Sequence, residues 1–184
     1  MCIRDRQKPP EVKFKDLQAV VSSNIRYNNL PFKARADYIK ITDSTILTTV
    51  TIELQRRDLQ FTQKDNIAKA TVNIFGRITS ITGRVVNTFE DPVTVEVPAD
   101  LLSKAIDGAS IYQKLIPLAP GTYRLNLVCK DITGGNLTTY PMALNVPHFD
   151  DEKLSSSSLI LADLIEKVPT RNIGTCLLYT SRCV

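Results

Sequence analysis

At 184 residues the chain is long enough for one domain with a sizeable core, and its 43% hydrophobic and 23% charged content is that of an ordinary globular protein. No apolar run approaches the roughly 18–20 residues that a membrane-spanning helix needs, and the densest, Leu159-Ile160-Leu161-Ala162, is broken at once by Asp163. The net charge of +4 is shared between the body of the chain and its two ends.

Those ends are treated separately. Residues 1–6 (Met1-Cys2-Ile3-Arg4-Asp5-Arg6) and 176–184 (from Cys176 to Val184) resemble translated sequencing-adapter read-through, and are expected to lie outside the fold. Setting them aside removes Arg4, Arg6, Arg182 and Asp5, which lowers the net charge by two, so a basic-protein argument for nucleic acid loses its footing. It also removes Cys2, Cys176 and Cys183. Cys129 then stands alone, and one cysteine gives no disulfide framework. On this reading the natural chain extends upstream of the residues seen here.

In chain order, residues 7–33 read as a linker with a short helix. The first part is polar and carries Pro9-Pro10; Phe14, Leu17, Val20 and Val21 then recur at helical spacing and predict a helix over Lys15–Ser22. From residue 34 to 147 the period changes to two, which predicts the sandwich domain proper. The alternation is cleanest in Thr45–Gln55, where Ile46, Thr48, Val50, Ile52 and Leu54 share one face. Ala70, Val72, Ile74 and Ile78 repeat it, and Gly76 among them predicts a bulge or a close approach. Residues 84–89 and 93–97 read as two further strands separated by a turn at Glu90-Asp91-Pro92.

A short helix is predicted over 99–107, between Pro98 and Gly108, followed by an extended segment over 111–118 and a tight turn at Pro120-Gly121. The last hairpin places Tyr123, Leu125, Leu127 and Cys129 inward on one strand. Tyr140, Met142, Leu144 and Val146 face inward on the next, and Gly134-Gly135 sits in the turn. About seven short strands, with turns every eight to twelve residues, predict a mostly β fold: an immunoglobulin-like antiparallel β-sandwich with one or two short helices. Residues 148–175 read as an acidic and serine-rich linker leading into the start of a further β-unit. Within it, Leu161, Leu164, Ile165 and Val168 fit helical spacing.

Several segments together carry a resemblance: Phe14-Lys15-Asp16-Leu17, Leu30-Pro31-Phe32, Phe75-Gly76-Arg77, Gly83-Arg84-Val85, Thr88-Phe89-Glu90-Asp91, and the run from Phe149 to Asp163. They resemble the C-terminal, β-rich half of bacterial proteins that carry a GWxTD domain, over nearly everything between residues 7 and 175. The Gly-Trp-x-Thr-Asp motif itself is absent, since the chain has no Trp. The resemblance implies a module of a larger exported protein, extracytoplasmic, with an upstream domain of the same polypeptide and other envelope proteins as partners. It also implies that 155–168 opens a strand, where the periodicity favours a helix. It implies no reaction.

The residues offer little catalytic chemistry, and no cofactor is expected. His148 is the only histidine, which excludes paired-His metal motifs and leaves a catalytic triad one base, with no Gly-x-Ser-x-Gly elbow to serve. Cys129 falls on an inward face and reads as a small buried hydrophobe. Gly134-Gly135 lacks the Lys-Ser/Thr successor of a phosphate loop. Asn136-Leu137-Thr138 matches a glycosylation acceptor by coincidence, and Arg56-Arg57 lacks the aromatic residues that stack bases. The one metal candidate is Asp150-Asp151-Glu152, three hard oxygen ligands for calcium that would need help from another loop, such as Asp43 or Asp131. An acidic solvated linker is the plainer reading of that trio. The function expected is a non-catalytic structural or interaction module, with a carbohydrate-type ligand-binding module or an accessory domain of an exported hydrolase as alternatives.

Overall fold

Strand β1 (Phe32–Thr42) and strand β2 (Thr45–Gln55) form a hairpin, and β6 (Ala109–Leu118) adds to the free side of β2, giving a three-stranded antiparallel sheet in the order β1-β2-β6. The second sheet runs β5-β4-β7-β8, from β4 (Ile67–Ser80), β5 (Val85–Pro98), β7 (Gly121–Asp131) and β8 (Leu137–Val146). A short β3 (Thr62–Lys64) pairs with the first residues of β4, on the side that β7 takes further along. The chain passes between the sheets after β2, β5 and β6. This is an immunoglobulin-like antiparallel β-sandwich. It is seen in a computed structural model that describes residues 12–23, 25–149 and 154–160. Helix α1 is Lys15–Ser22, as its spacing predicts; α2 (Leu102–Ala105) follows a 3-10 turn at Ala99–Leu101, on the crossing from β5 to β6.

The core lies between the two sheets and is built by alternation. Ile46, Thr48, Val50, Ile52 and Leu54 of β2 are all buried, in the register that the sequence predicts. They face Ala70, Val72, Ile74 and Ile78 of β4 and Leu125, Leu127 and Cys129 of β7. Each fully buried Ile or Leu contributes about 1.5–3 kcal/mol relative to exposure. Gly76 is the predicted close approach. It pairs with Phe89 across β4 and β5, and a Cβ at residue 76 would fall inside the van der Waals envelope of the Phe89 ring. Glycine there is what lets an aromatic ring lie flat on the inner face of the sheet.

The turn expected at Glu90-Asp91-Pro92 does not form: β5 is one strand from Val85 to Pro98. Among the described residues β5 pairs with β4 alone, so it is an edge strand, where a proline can stand with no ladder donor to lose. The two acids preceding it have partners on opposite faces, described below, and so do not need a solvated loop. The sandwich also takes in residues that precede its expected start at 34. Phe32 opens β1, and Leu30 is fully buried in the core. Residues 27–30 lie along the end of β8, where Leu30 N–H donates to Thr138 Oγ1 (2.8 Å) and Asn29 N–H to the Leu137 carbonyl (3.0 Å).

In the last hairpin Gly135 takes the left-handed conformation (φ 70°), which suits a residue without a Cβ. Leu144 and Val146 are buried as expected. Tyr140, expected to face inward, is 39% exposed, because β8 is the sheet's edge and its ring leans out against Phe32 of the other sheet (centroids 5.6 Å apart). Residues 154–160 form neither helix nor strand. They meet β1 at Ser157 and Ser158: the Tyr38 and Lys40 N–H groups donate to the hydroxyls of Ser158 (2.9 Å) and Ser157 (3.2 Å), while Ser158 N–H donates to the Tyr38 carbonyl (2.8 Å). The rest of the stretch whose helix-or-strand character the sequence left open, 161–168, is outside the described residues.

Gly76→Ala should destabilise the domain by about 1–3 kcal/mol, the usual range for overpacking. Phe89→Ala should cost about 3–5 kcal/mol through the cavity it leaves. Because the two sites touch, the double variant should be clearly less destabilised than the sum of the singles. Urea unfolding of the three variants measures this; additive effects would mean that the ring does not lie on Gly76.

Candidate functional site

Three polar arrangements and one groove concentrate the chemistry of the described residues. The first fastens α1 to the outer face of the five-stranded sheet. Leu17 is buried against Phe75 of β4 and Val128 of β7, with Phe14, Val20 and Val21 around them. Three charged side chains hold the helix, two at its first turn and one at its last. The Glu90 carboxylate accepts from the N–H groups of Phe14 (2.7 Å) and Lys13 (3.2 Å), at the helix N-terminus, where an anion is favoured. Lys130 bonds Asp16 (2.7 Å), which holds the Asp16 carboxyl below its ordinary range. Arg77 donates to the Val21 carbonyl and the Ser22 hydroxyl (3.2 Å each), and so supplies the last turn of the helix with a donor. The segments around Asp16, Arg77 and Glu90 are ones that carry the resemblance noted in the sequence.

The second arrangement joins the two sheets along the β5/β6 side. Asp91 points inward from β5 and accepts from the Tyr112 hydroxyl (2.5 Å) and from Lys114 Nζ (2.9 Å), both on β6. Lys114 lies 5.9 Å from the centre of the Phe89 ring. The carboxylate and the ammonium are each about a quarter exposed (28% and 24%), so this is a half-wet ion pair completed by a largely buried phenol. Burial, and then the hydrogen bond to Asp91, raise the Tyr112 pKa far above its ordinary value of 10.0. The phenol therefore stays a proton donor to the carboxylate. The third arrangement is a turn clamp. Asp131 is fully buried, and its carboxylate accepts from Gln60 N–H (2.9 Å) and Thr133 N–H (3.0 Å).

The groove occupies the part of the sheet's outer face that α1 leaves bare. Its volume is about 660 Å³. Across its floor Thr79, Arg124 and Ala143 stand in register on β4, β7 and β8, and Asn126 stands beside Pro141. Val20 and Val21 of α1 contribute to its lining, as do Ile25, Arg26 and Ile81.

The residues singled out in the sequence fall as follows. Asp150, Asp151 and Glu152 lie outside the described residues. The two acids suggested as their helpers are engaged elsewhere: Asp43 with Lys40 (2.9 Å), and Asp131 in its turn clamp. Cys129 is fully buried and desolvation pushes its pKa well up, which makes it an inert thiol rather than a nucleophile. His148 is exposed just after β8. Thr138 of the sequon is buried, and accepts the Leu30 amide. Arg56 donates to Ser110 Oγ and the Ala105 carbonyl (3.2 Å each), tying the β2 end to α2. Among the described residues no group of three His, Cys, Asp or Glu is placed to hold a metal, and no helix is long and apolar enough to cross a membrane. Sequence reasoning missed the work of Glu90, Asp91 and Arg77. A carboxylate pair inside a β pattern was the available signal, but it also fits a turn.

No protein-family model and no curated protein matches the chain. Among solved structures it is similar to part of a β-glucuronidase from Bacteroides uniformis, with 10% identity, a TM-score of 0.41, and coverage of 62% of this chain and 13% of that one. It is likewise similar to a glycosyl hydrolase family 2 member from Bacteroides cellulosilyticus (14% identity, TM-score 0.43, 65% and 16% of the two chains). A third is the putative ApaA protein from Bordetella pertussis (12% identity, TM-score 0.41, 68% and 99%). The chain thus spans less than a fifth of either glycosidase.

The Tyr112 geometry sets an alkaline limit on stability. A pKa raised in the folded state gives stability that is fully present below 10.0 and is lost as the pH rises above it, because the unfolded phenol ionises first. The Cys129 thiol acts in the same sense from 9.0 upward. Urea midpoints between about pH 8 and pH 11 should fall across this window. Tyr112→Phe should give a less steep fall above about pH 10, the ordinary tyrosine range; an unchanged slope would remove the phenol from the account.

Proposed function

We propose that this chain is a non-catalytic structural module of a larger exported bacterial polypeptide, which fixes the direction of the chain arriving at α1 relative to the sandwich. The observation that carries this reading is the threefold fastening of α1. An eight-residue helix is too short to be stable alone in water, so its order comes from the sheet beneath it. Hydrogen bonds to charged groups at both of its ends, together with Leu17 in a buried pocket, fix its axis as well as its position. The other reactive groups described above are committed to structure. Cys129 is in the core, Asp91, Tyr112 and Lys114 join the sheets, and Asp131 closes a turn. The resemblance to the C-terminal half of GWxTD-domain proteins supports the larger exported polypeptide and its envelope partners.

The test is to fuse a small globular protein directly ahead of Val12 and measure 15N relaxation of both parts. The wild type should tumble as one body. Glu90→Gln combined with Arg77→Gln should release the fused protein to tumble separately and raise amide exchange in 15–22 roughly tenfold or more, consistent with losing hydrogen bonds to charged groups of about 1.5–3 kcal/mol each. The β2 and β7 amides should be unaffected. Independent tumbling in the wild type would refute the positioning role. As the pH falls below 3.8, the ordinary value under which the folded Asp16 carboxyl is held, its protonation should loosen the helix in the same direction, because stability from a lowered carboxyl pKa is lost on acidification.

A further inference from the structure

We propose that the groove beside α1 on the outer face of the five-stranded sheet is a docking site for an acidic, amphipathic peptide segment of another polypeptide. The charge is one-sided: Arg26 and Arg124 both contribute to the groove and, among the described residues, no Asp or Glu lines it. Neither guanidinium has an ion pair with a described carboxylate, whereas Arg77, one residue pair away on the same face, is already used by α1. Two unopposed cations beside a low-dielectric sheet favour an anionic occupant. The apolar part is at the margin, where Ile25 is 54% and Ile81 82% exposed. Small residues, Thr79, Pro141 and Ala143, stand on the floor where a solvated sheet face ordinarily carries long polar side chains. They leave room for the occupant's own apolar side chains.

The same face already binds one segment of this kind. Helix α1 sits on it with Leu17 in an apolar pocket and Asp16 on Lys130, a pattern that a second segment could repeat with an apolar residue on the Ala143 floor and a carboxylate on Arg124 or Arg26. A volume of about 660 Å³ holds a few side chains and not a folded domain. A peptide is favoured over an acidic sugar because the exposed side chains at the margin, Ile25 and Ile81, are aliphatic, while the two tyrosines of the lining are engaged elsewhere, Tyr123 against the core and the Tyr140 ring on Phe32. The inference rests on α1 being docked, since Val20 and Val21 contribute to the groove's lining.

The experiment uses the full chain and a synthetic peptide of about twelve residues, leucines and glutamates at helical spacing, with a lysine-for-glutamate version and an oligomer of uronic acid as the other probes. Binding is followed by amide chemical shifts and by fluorescence anisotropy. The glutamate peptide should shift the amides of Thr79, Arg124, Asn126 and Ala143, and its affinity should weaken as salt is raised. Arg26→Glu with Arg124→Glu should weaken it at least tenfold, Ile81→Ser several-fold, and the lysine peptide should not bind. These are surface substitutions, so the fold should survive them. Equal binding of both peptides, indifference to the arginine substitutions, or binding of the uronic-acid oligomer alone would each overturn the proposal. Amide exchange of α1 in the same samples separates the two readings: a protected helix with no peptide binding sinks only the docking site, and an unprotected one sinks both.

Discussion

Everything in this sandwich leans on β4, and within β4 on three consecutive residues that point alternately to its two faces. Phe75 points outward and forms the floor under Leu17 of α1. Gly76 is the inward position, and its missing side chain is the space that the Phe89 ring fills. Arg77 points outward again and closes the end of α1. A strand alternates its side chains by geometry, so neither task can move to the other face without shifting the register by one residue and inverting the core. β4 also has neighbours on both sides, β5 on one and β3 then β7 on the other, so its register is transmitted to most of the second sheet.

The carboxylates are distributed by the same alternation. Glu90 and Asp91 are adjacent on β5, yet one reaches outward to the N-terminal amides of α1 and the other inward to Tyr112 and Lys114 of the opposite sheet. One strand therefore ties together three layers: helix, near sheet and far sheet. Exposed ion pairs contribute little in general, about 0–1 kcal/mol. What these contribute is direction: Glu90 meets backbone amides of the helix N-terminus, and Asp91 meets two side chains of the opposite sheet. On the other side of the sandwich the sheets meet through the Phe32–Tyr140 ring contact, so the two flanks are closed by different chemistry, apolar on one and ionic on the other.

Edges are managed with side chains more than with added strands. The outer side of β1 is met by two serine hydroxyls and a single backbone pair from 157–158, and the end of β8 by residues 27–30. Such partial cover satisfies donors that would otherwise template pairing with another chain. It also explains the serine run, which looks like a flexible linker in composition but works as an acceptor for β1.

The sequence by itself determined what depends on near neighbours along the chain. The period-two pattern set the inward faces of β2, β4 and β7, the 3.6 period set α1, the Gly-Gly pair set the last turn, and Gly76 marked a bulge or a close approach without naming the partner. Helix capping by Glu90 and Arg77, the unbroken course of β5, the Asp91 clasp and the groove with Arg26 and Arg124 were decided only by the tertiary structure. Glu90-Asp91-Pro92 shows the reason. Taken locally, two acids and a proline make a turn, because water is the default partner of a carboxylate and a proline breaks a ladder. The fold placed β5 at an edge, α1 over its outer face and β6 beneath its inner one, which gave each acid a partner far along the chain and made the turn unnecessary. Those partners are about 20 to 80 positions away, a separation over which a local pattern carries no information.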